Sequence, residues 1–142
     1  MSIIASSFTR ASLRRGWKFV ANPINWDAKD MELNSGSIDC TWNGFTIQGR
    51  EDAYTWTVPY VDNSQVVLVK VGSPIKTLAD LPGKFEMLGE IVMTETYGIG
   101  FKKGNVSLKD EVEATLKEIF ADGTGAKIAE KYQIEPNALL LK

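Results

Sequence analysis

The stretch WDAKDMELNSGSIDCTWNGFTIQGRED, residues 26–52, decides the fold class. Asn25 or Asp27 starts a helix, AKDMELNS continues it, and Gly36 ends it. Ser37 to Trp42 then reads as a short β-prone strand, and Asn43 to Asp52 as a loop of turn-formers carrying one arginine. Helix, glycine stop, strand and polar loop in that order make one unit of an α/β domain.

The flanking sequence continues the alternation. Downstream, QVVLVKV at residues 65–71 has five valine or leucine residues interrupted only by Lys70, the pattern of a central strand covered on both faces. In SPIKTLADLPGK, Thr77 caps one helical turn that Pro82 and Gly83 end. Tyr97 to Phe101 reads as a strand thinned by two glycines. Ser107 opens a helix in which Leu108, Val112, Leu116, Ile119 and Phe120 share a face, leaving Lys109, Glu113, Lys117 and Glu118 to water. Asp122-Gly123 stops it, a shorter helix runs from Thr124 to Tyr132, and the tail from Pro136 has no assignment. Upstream, Ser7 to Arg15 reads as a helix with Gly16 as its C-cap, and WKFVANPI as a strand ended by Pro23. The expected fold is α/β: three layers, with a mainly parallel sheet flanked by helices. Ligands of such sheets bind beyond the carboxyl ends of the strands, where the loop Asn43 to Arg50 falls.

Composition narrows the chemistry. The 142 residues carry a formal charge of -2, with no histidine and a single cysteine. Without a basic run there is no footprint for nucleic-acid phosphates. Without histidine the commonest general base and zinc ligand is missing, and Cys40 alone forms neither an internal disulfide nor a thiolate cluster. No stretch approaches the ~20 apolar residues that span a bilayer, and MSIIASSFTRASLRRGW lacks the charged-then-apolar order of a secretory signal. No P-loop, GxGxxG, GxSxG or HExxH pattern is present, so neither an enzyme nor a cofactor is expected.

Arg50 is the first candidate for binding. Its planar guanidinium can grip a carboxylate through two parallel hydrogen bonds, or it can pair at the surface with Glu51 or Asp52. Trp26, ahead of a helix, either offers its face to a ligand or fills core volume, and Trp42, Phe45 and Trp56 pose the same choice. Asp27, Asp30 and Glu32 are explained by the helix dipole. Cys40, inside a strand, reads as an inert thiol.

Residues 26–40, WNGFTIQGRED at 42–52, Pro59-Tyr60, VVLVK at 66–70, KTLADLPGK at 76–84, YGIGFKKGN at 97–105 and ADGTGAKIAEKY at 121–132 fall in an informative order. Over residues 12–134 the chain resembles the polar amino-acid-binding proteins of ABC importers, the type-II periplasmic solute-binding family. The resemblance implies that Trp26 stacks on a ligand side chain, and that Asn43 and Gly44 meet its α-amino group. It also implies that Thr46 and Arg50 clamp its α-carboxylate. Two departures stand out. MSIIASSFTR does not match the family's first strand, and between Lys84 and Phe85 the family carries an entire second lobe.

Residues 1–142 are therefore expected to form a single truncated lobe of a periplasmic-binding-protein-like type-II fold, with a junction near 84–85. Half a cleft implies weak or undetectable amino-acid binding, with Trp26 and Trp42 flanking any ligand. The family further implies a periplasmic or extracellular setting and an ABC permease as partner. Strand edges left open by the missing parts suggest a homodimer. The alternative is a lobe that keeps only protein contacts, through self-association or permease docking.

Overall fold

The computed structural model describes residues 3–77, 80 and 93–141. Helix α1 (Ile3–Arg15) begins earlier than its sequence predicts and ends at Gly16, whose φ of 69° is the expected left-handed cap. A 3-10 turn at Trp26–Ala28 leads into α2 (Lys29–Ser35). The Asn25 side chain accepts the Asp27 N–H at 3.1 Å, and Gly36 at φ 79° ends the helix as predicted. Strands β1 (Cys40–Thr41), β2 (Thr55–Trp56), β3 (Val61–Gln65), β4 (Met93–Tyr97) and β5 (Gly100–Phe101) follow, then α3 (Val106–Ala121) and α4 (Thr124–Lys131).

The strands form two sheets, one ordered β1-β5-β2 and the other the ribbon β3-β4. Every described ladder is antiparallel, which corrects the expectation of mainly parallel pairing. The cause is β5. It returns against the direction of the early strands and inserts between β1 and β2, so these two run parallel to each other without touching.

Helices cover both faces of the β1-β5-β2 sheet, as three layers require. Ile99 and Phe101, both fully buried, join Trp42, Ala11, Val112, Leu116 and Ile119 in one core against α1 and α3. On the other face Leu33 of α2 packs with Phe45 and Tyr54 in a second core. Gly100 faces that side, where an added Cβ would stand 3.0 Å from both the Phe45 ring and the Thr41 hydroxyl. Glycine is what lets Phe45 reach the sheet.

Arg15 fastens α1 to α3 by donating to Thr115 Oγ1 at 2.6 Å and to Glu118 at 2.9 Å, and Arg14 pairs with Asp122. Glu113, expected in water, is tucked inward. It accepts the Val58 N–H at 3.1 Å and pairs with Lys117 at 2.6 Å, satisfying a backbone donor that the sheet leaves unmatched.

Three further expectations change. WKFVANPI forms no strand: Trp17 and Phe19 are half-buried and Val20 is 68% exposed, but among the described residues no strand pairs with them. QVVLVKV is not a covered central strand. Only Gln65 belongs to β3, and Leu68 and Val71 are 66% and 98% exposed, because among the described residues no layer covers that segment. The tail is placed: Leu139 bridges Val61, and the Leu140 N–H donates to the Tyr60 carbonyl at 3.1 Å. Asp80 accepts from the Lys76 and Thr77 N–H groups and the Thr77 hydroxyl, tightening the turn predicted there. The rest of that turn and the junction at 84–85 lie outside the described residues.

Candidate functional site

The loop leaving β1 is anchored by Phe45, which is 2% exposed and ringed by aromatics. Its ring lies 4.7 Å from Trp56, 4.9 Å from Trp26 and 5.1 Å from Tyr54, spacings at which edge-on and tilted aromatic pairs attract. Tyr54 donates its hydroxyl to Asp30 of α2, and burial together with that carboxylate pushes its pKa up to about 12. These contacts hold the loop against α2.

On its other side the loop is stitched to β4. The Ile47 N–H donates to the Thr96 carbonyl at 3.1 Å, and the Gly98 N–H donates to the Phe45 carbonyl at 3.2 Å. Gln48 contributes both ways, accepting the Thr96 N–H and donating to the Thr96 hydroxyl, each at 2.9 Å. An added Cβ on Gly44 would lie 3.3 Å from the Tyr97 ring, so the absence of a side chain there lets loop and strand close up.

Within this frame the five sequence-derived residues fall on one loop and the helical turn beside it. Trp26 is 40% exposed, edge-on to Phe45, with the Lys29 ammonium 5.3 Å from its ring centre. Asn43 accepts the Tyr60 hydroxyl on its carbonyl at 3.0 Å, while its own side-chain oxygen is buried without a donor. Burial lifts the Tyr60 phenol well above its usual pKa. Gly44 is exposed beside it. Thr46 bridges to Tyr97, and its hydroxyl donates to Glu95 at 3.0 Å.

Arg50 is exposed and donates to the Thr46 carbonyl at 3.4 Å, with its guanidinium 5.7 Å from the Phe45 ring centre. The surface ion pair with Glu51 or Asp52 does not form. Glu51 turns back to accept the Gly49 N–H at 3.1 Å, and backbone hydrogen bonds hold its carboxyl below the usual range. Among the described residues Arg50 makes no ion pair. An exposed cation fixed through its own loop and left without a counter-ion is suited to an external anion. Trp56 reports on it, donating its indole N–H to the Arg50 carbonyl at 3.0 Å.

Trp42 belongs to the core, at 7% exposure and 6.4 Å from the Tyr60 ring, so it does not flank this surface. Trp56 takes that position instead. Cys40 is half-buried, and burial with the neighbouring Asp39 charge pushes its thiol up to about 12. Among the described residues no cluster of His, Cys, Asp and Glu could hold a metal ion. A hollow of about 830 Å³ between α1 and α4, lined by Arg10, Leu13, Lys127 and Ile128 among others, contains none of the five residues.

Sequence reading missed Glu95. It lies two residues before Tyr97, and the alternation of a strand places both on one face. That spacing could have found it.

The family model for bacterial extracellular solute-binding proteins, family 3, matches residues 8–135. The chain belongs to this family. No curated protein sequence matches it. Among solved structures, Tv2483 bound to L-arginine superposes with a TM-score of 0.86 at 20% identity, covering 99% of this chain and 84% of that one. A substrate-binding protein of an ABC uptake transporter from Streptococcus pneumoniae with bound histidine gives 0.80 at 17% identity, over 96% and 85%. The arginine-, lysine-, histidine-binding protein ArtJ from Geobacillus stearothermophilus gives 0.75 at 20% identity, over 94% and 87%. These likenesses establish the fold, an α/β lobe of the type-II periplasmic binding class. No helix among the described residues is long and apolar enough to cross a membrane.

Proposed function

We propose that this solute-binding chain is the carboxylate-gripping lobe of an amino-acid-binding protein that serves an ABC importer outside the cytoplasmic membrane. The observation that carries the reading is Arg50, exposed at the site loop without an acidic partner among the described residues. In this reading Trp26 stacks on the ligand side chain, Asn43 and Gly44 meet its α-amino group, and Thr46 and Arg50 clamp its α-carboxylate. Family membership supports solute binding rather than catalysis, and the fold neighbours bound to L-arginine and to histidine support an amino acid as the solute.

The lobe is truncated near 84–85, and its affinity is correspondingly weak. A complete clamp closes two lobes on the ligand and buries it, whereas a single lobe leaves half of the ligand's polar groups in water. The ribbon β3-β4 supports this reading: an outgoing and a returning strand pair directly along Val61–Gln65 and Met93–Tyr97. Titration of the Trp56 indole N–H by NMR tests the site. L-arginine is expected to bind in the millimolar range and to lose its effect in Arg50→Met. Micromolar binding by calorimetry would overturn the single-lobe reading, and indifference to Arg50 would overturn the site.

A second reading, self-association, draws support from the apolar residues left on the surface at Val66, Leu68 and Val71, 42%, 66% and 98% exposed. Light scattering that finds only monomer counts against it.

A further inference from the structure

We propose that Glu95 receives the ammonium group of the ligand, so that the site selects α-amino acids over plain carboxylates. The inference rests on the amino-acid reading above and adds a residue to it. Thr46 is touched from two sides by opposite charges: its carbonyl accepts from Arg50 Nη1 at 3.4 Å, and its hydroxyl donates to Glu95 Oε2 at 3.0 Å. Neither charge makes an ion pair among the described residues.

The Glu95 carboxylate is held by neutral donors. Asn63, directly opposite it in the ribbon, donates at 3.3 Å, and Gln65 donates at 2.8 Å, in addition to the Thr46 hydroxyl. Such donors orient a carboxylate without cancelling its charge, and a carboxylate with about four acceptor positions keeps one open after three are filled. Glu95 is half-buried and not enclosed. An α-amino acid carries its own carboxylate and ammonium on one carbon. A guanidinium and a carboxylate separated by a single threonine, and not neutralising each other, match that pair of charges.

A competing physical account gives the opposite sign. If Glu95 instead occupies the Thr46 hydroxyl as an internal stand-in for a ligand carboxylate, removing its charge should improve binding. The test compares L-arginine with 5-guanidinopentanoate, the same molecule without its α-amino group, by NMR titration of wild type, Glu95→Gln and Arg50→Met. In wild type L-arginine is expected to bind about tenfold more tightly, the effect of one charge-assisted hydrogen bond. In Glu95→Gln that preference collapses through loss of L-arginine affinity, with the des-amino compound unchanged, and Glu95→Asp retains it.

Tighter binding of both compounds by Glu95→Gln overturns the proposal, as does an unchanged preference, or the absence of any wild-type shift with L-arginine at 100 mM. Arg50→Met is expected to lose both compounds together. If it keeps both while the preference still follows Glu95, the carboxylate anchor fails and the Glu95 assignment stands.

Discussion

Replacing Phe45 with alanine tests how the site loop is held. The side chain is 2% exposed and touches three aromatic rings at 4.7 to 5.1 Å, so truncation removes a full ring from the smaller core. Loss of a buried Phe costs about 3 to 5 kcal/mol, a large part of the ~5 to 15 kcal/mol that holds a domain folded. With a urea slope of ~2 kcal/mol per molar, the unfolding midpoint should fall by about 2 M. Trp26→Ala is the control, because that residue is 40% exposed, with Phe45 at its edge and the Lys29 ammonium over its ring. Its expected loss is ~1 kcal/mol, about 0.5 M in midpoint. Equal shifts in the two variants, or a Phe45→Ala shift below ~0.5 M, would refute the placement of Phe45 as the loop's anchor.

The two kinds of glycine should respond differently: Gly100→Ala drives a Cβ to 3.0 Å from Phe45 and Thr41 and should cost about 1 to 3 kcal/mol through overpacking. Gly36→Ala meets nothing within 4 Å and should cost only the left-handed backbone penalty of ~1 to 2 kcal/mol, both read by urea denaturation. Hydrogen bonds from Thr124 and Arg14 lower the Asp122 pKa to about 2. A depressed carboxyl contributes its stability above the unfolded value near 4 and loses it as pH falls towards 2, so Asp122→Asn should flatten the acid limb of thermal stability over that window. Cys40, with its thiol at about 12, should react with iodoacetamide at pH 8 far more slowly than the unfolded chain, and rapid labelling in native buffer would contradict its burial.

Helix ends were readable because local chemistry sets them. Gly36 and Gly123 stand at φ 79° and 77° where their sequence context demands a stop, and Asn25 caps the turn that opens α2. The site loop was readable for a similar reason, since turn-formers surround one arginine. Strands were not. β1, β2 and β5 are two residues long, too short to show an alternation, and β3 reads VDNSQ, in which Asn63 and Gln65 reach Glu95 rather than a core. The apolar run beside it misled because hydrophobicity states a demand for cover without saying whether another layer exists. The contacts of Glu113 and Glu95 were unreadable because they span 55 and 49 residues of chain, although the spacing of Glu95 from Tyr97 marks the face on which it lies.

The same long-range contacts explain why a site on one lobe has any defined shape. Arg50 would wander as an exposed side chain, but its loop is clamped between the Phe45 ring cluster and the β4 backbone. Thr46 then ties the loop to Glu95, and Glu95 ties it to Asn63 and Gln65 on β3. A displacement of the ribbon therefore pulls on the threonine that separates the two charges, and a ligand bridging those charges resists the displacement by an equal free energy, because coupling between two positions is reciprocal. Hydrogen exchange gives that reciprocity a measurable form. Amides of Val61–Gln65 and Met93–Tyr97 should gain protection when L-arginine is added to wild type and should gain none in Glu95→Gln, whereas protection confined to the loop would mean that the ribbon is a bystander to binding.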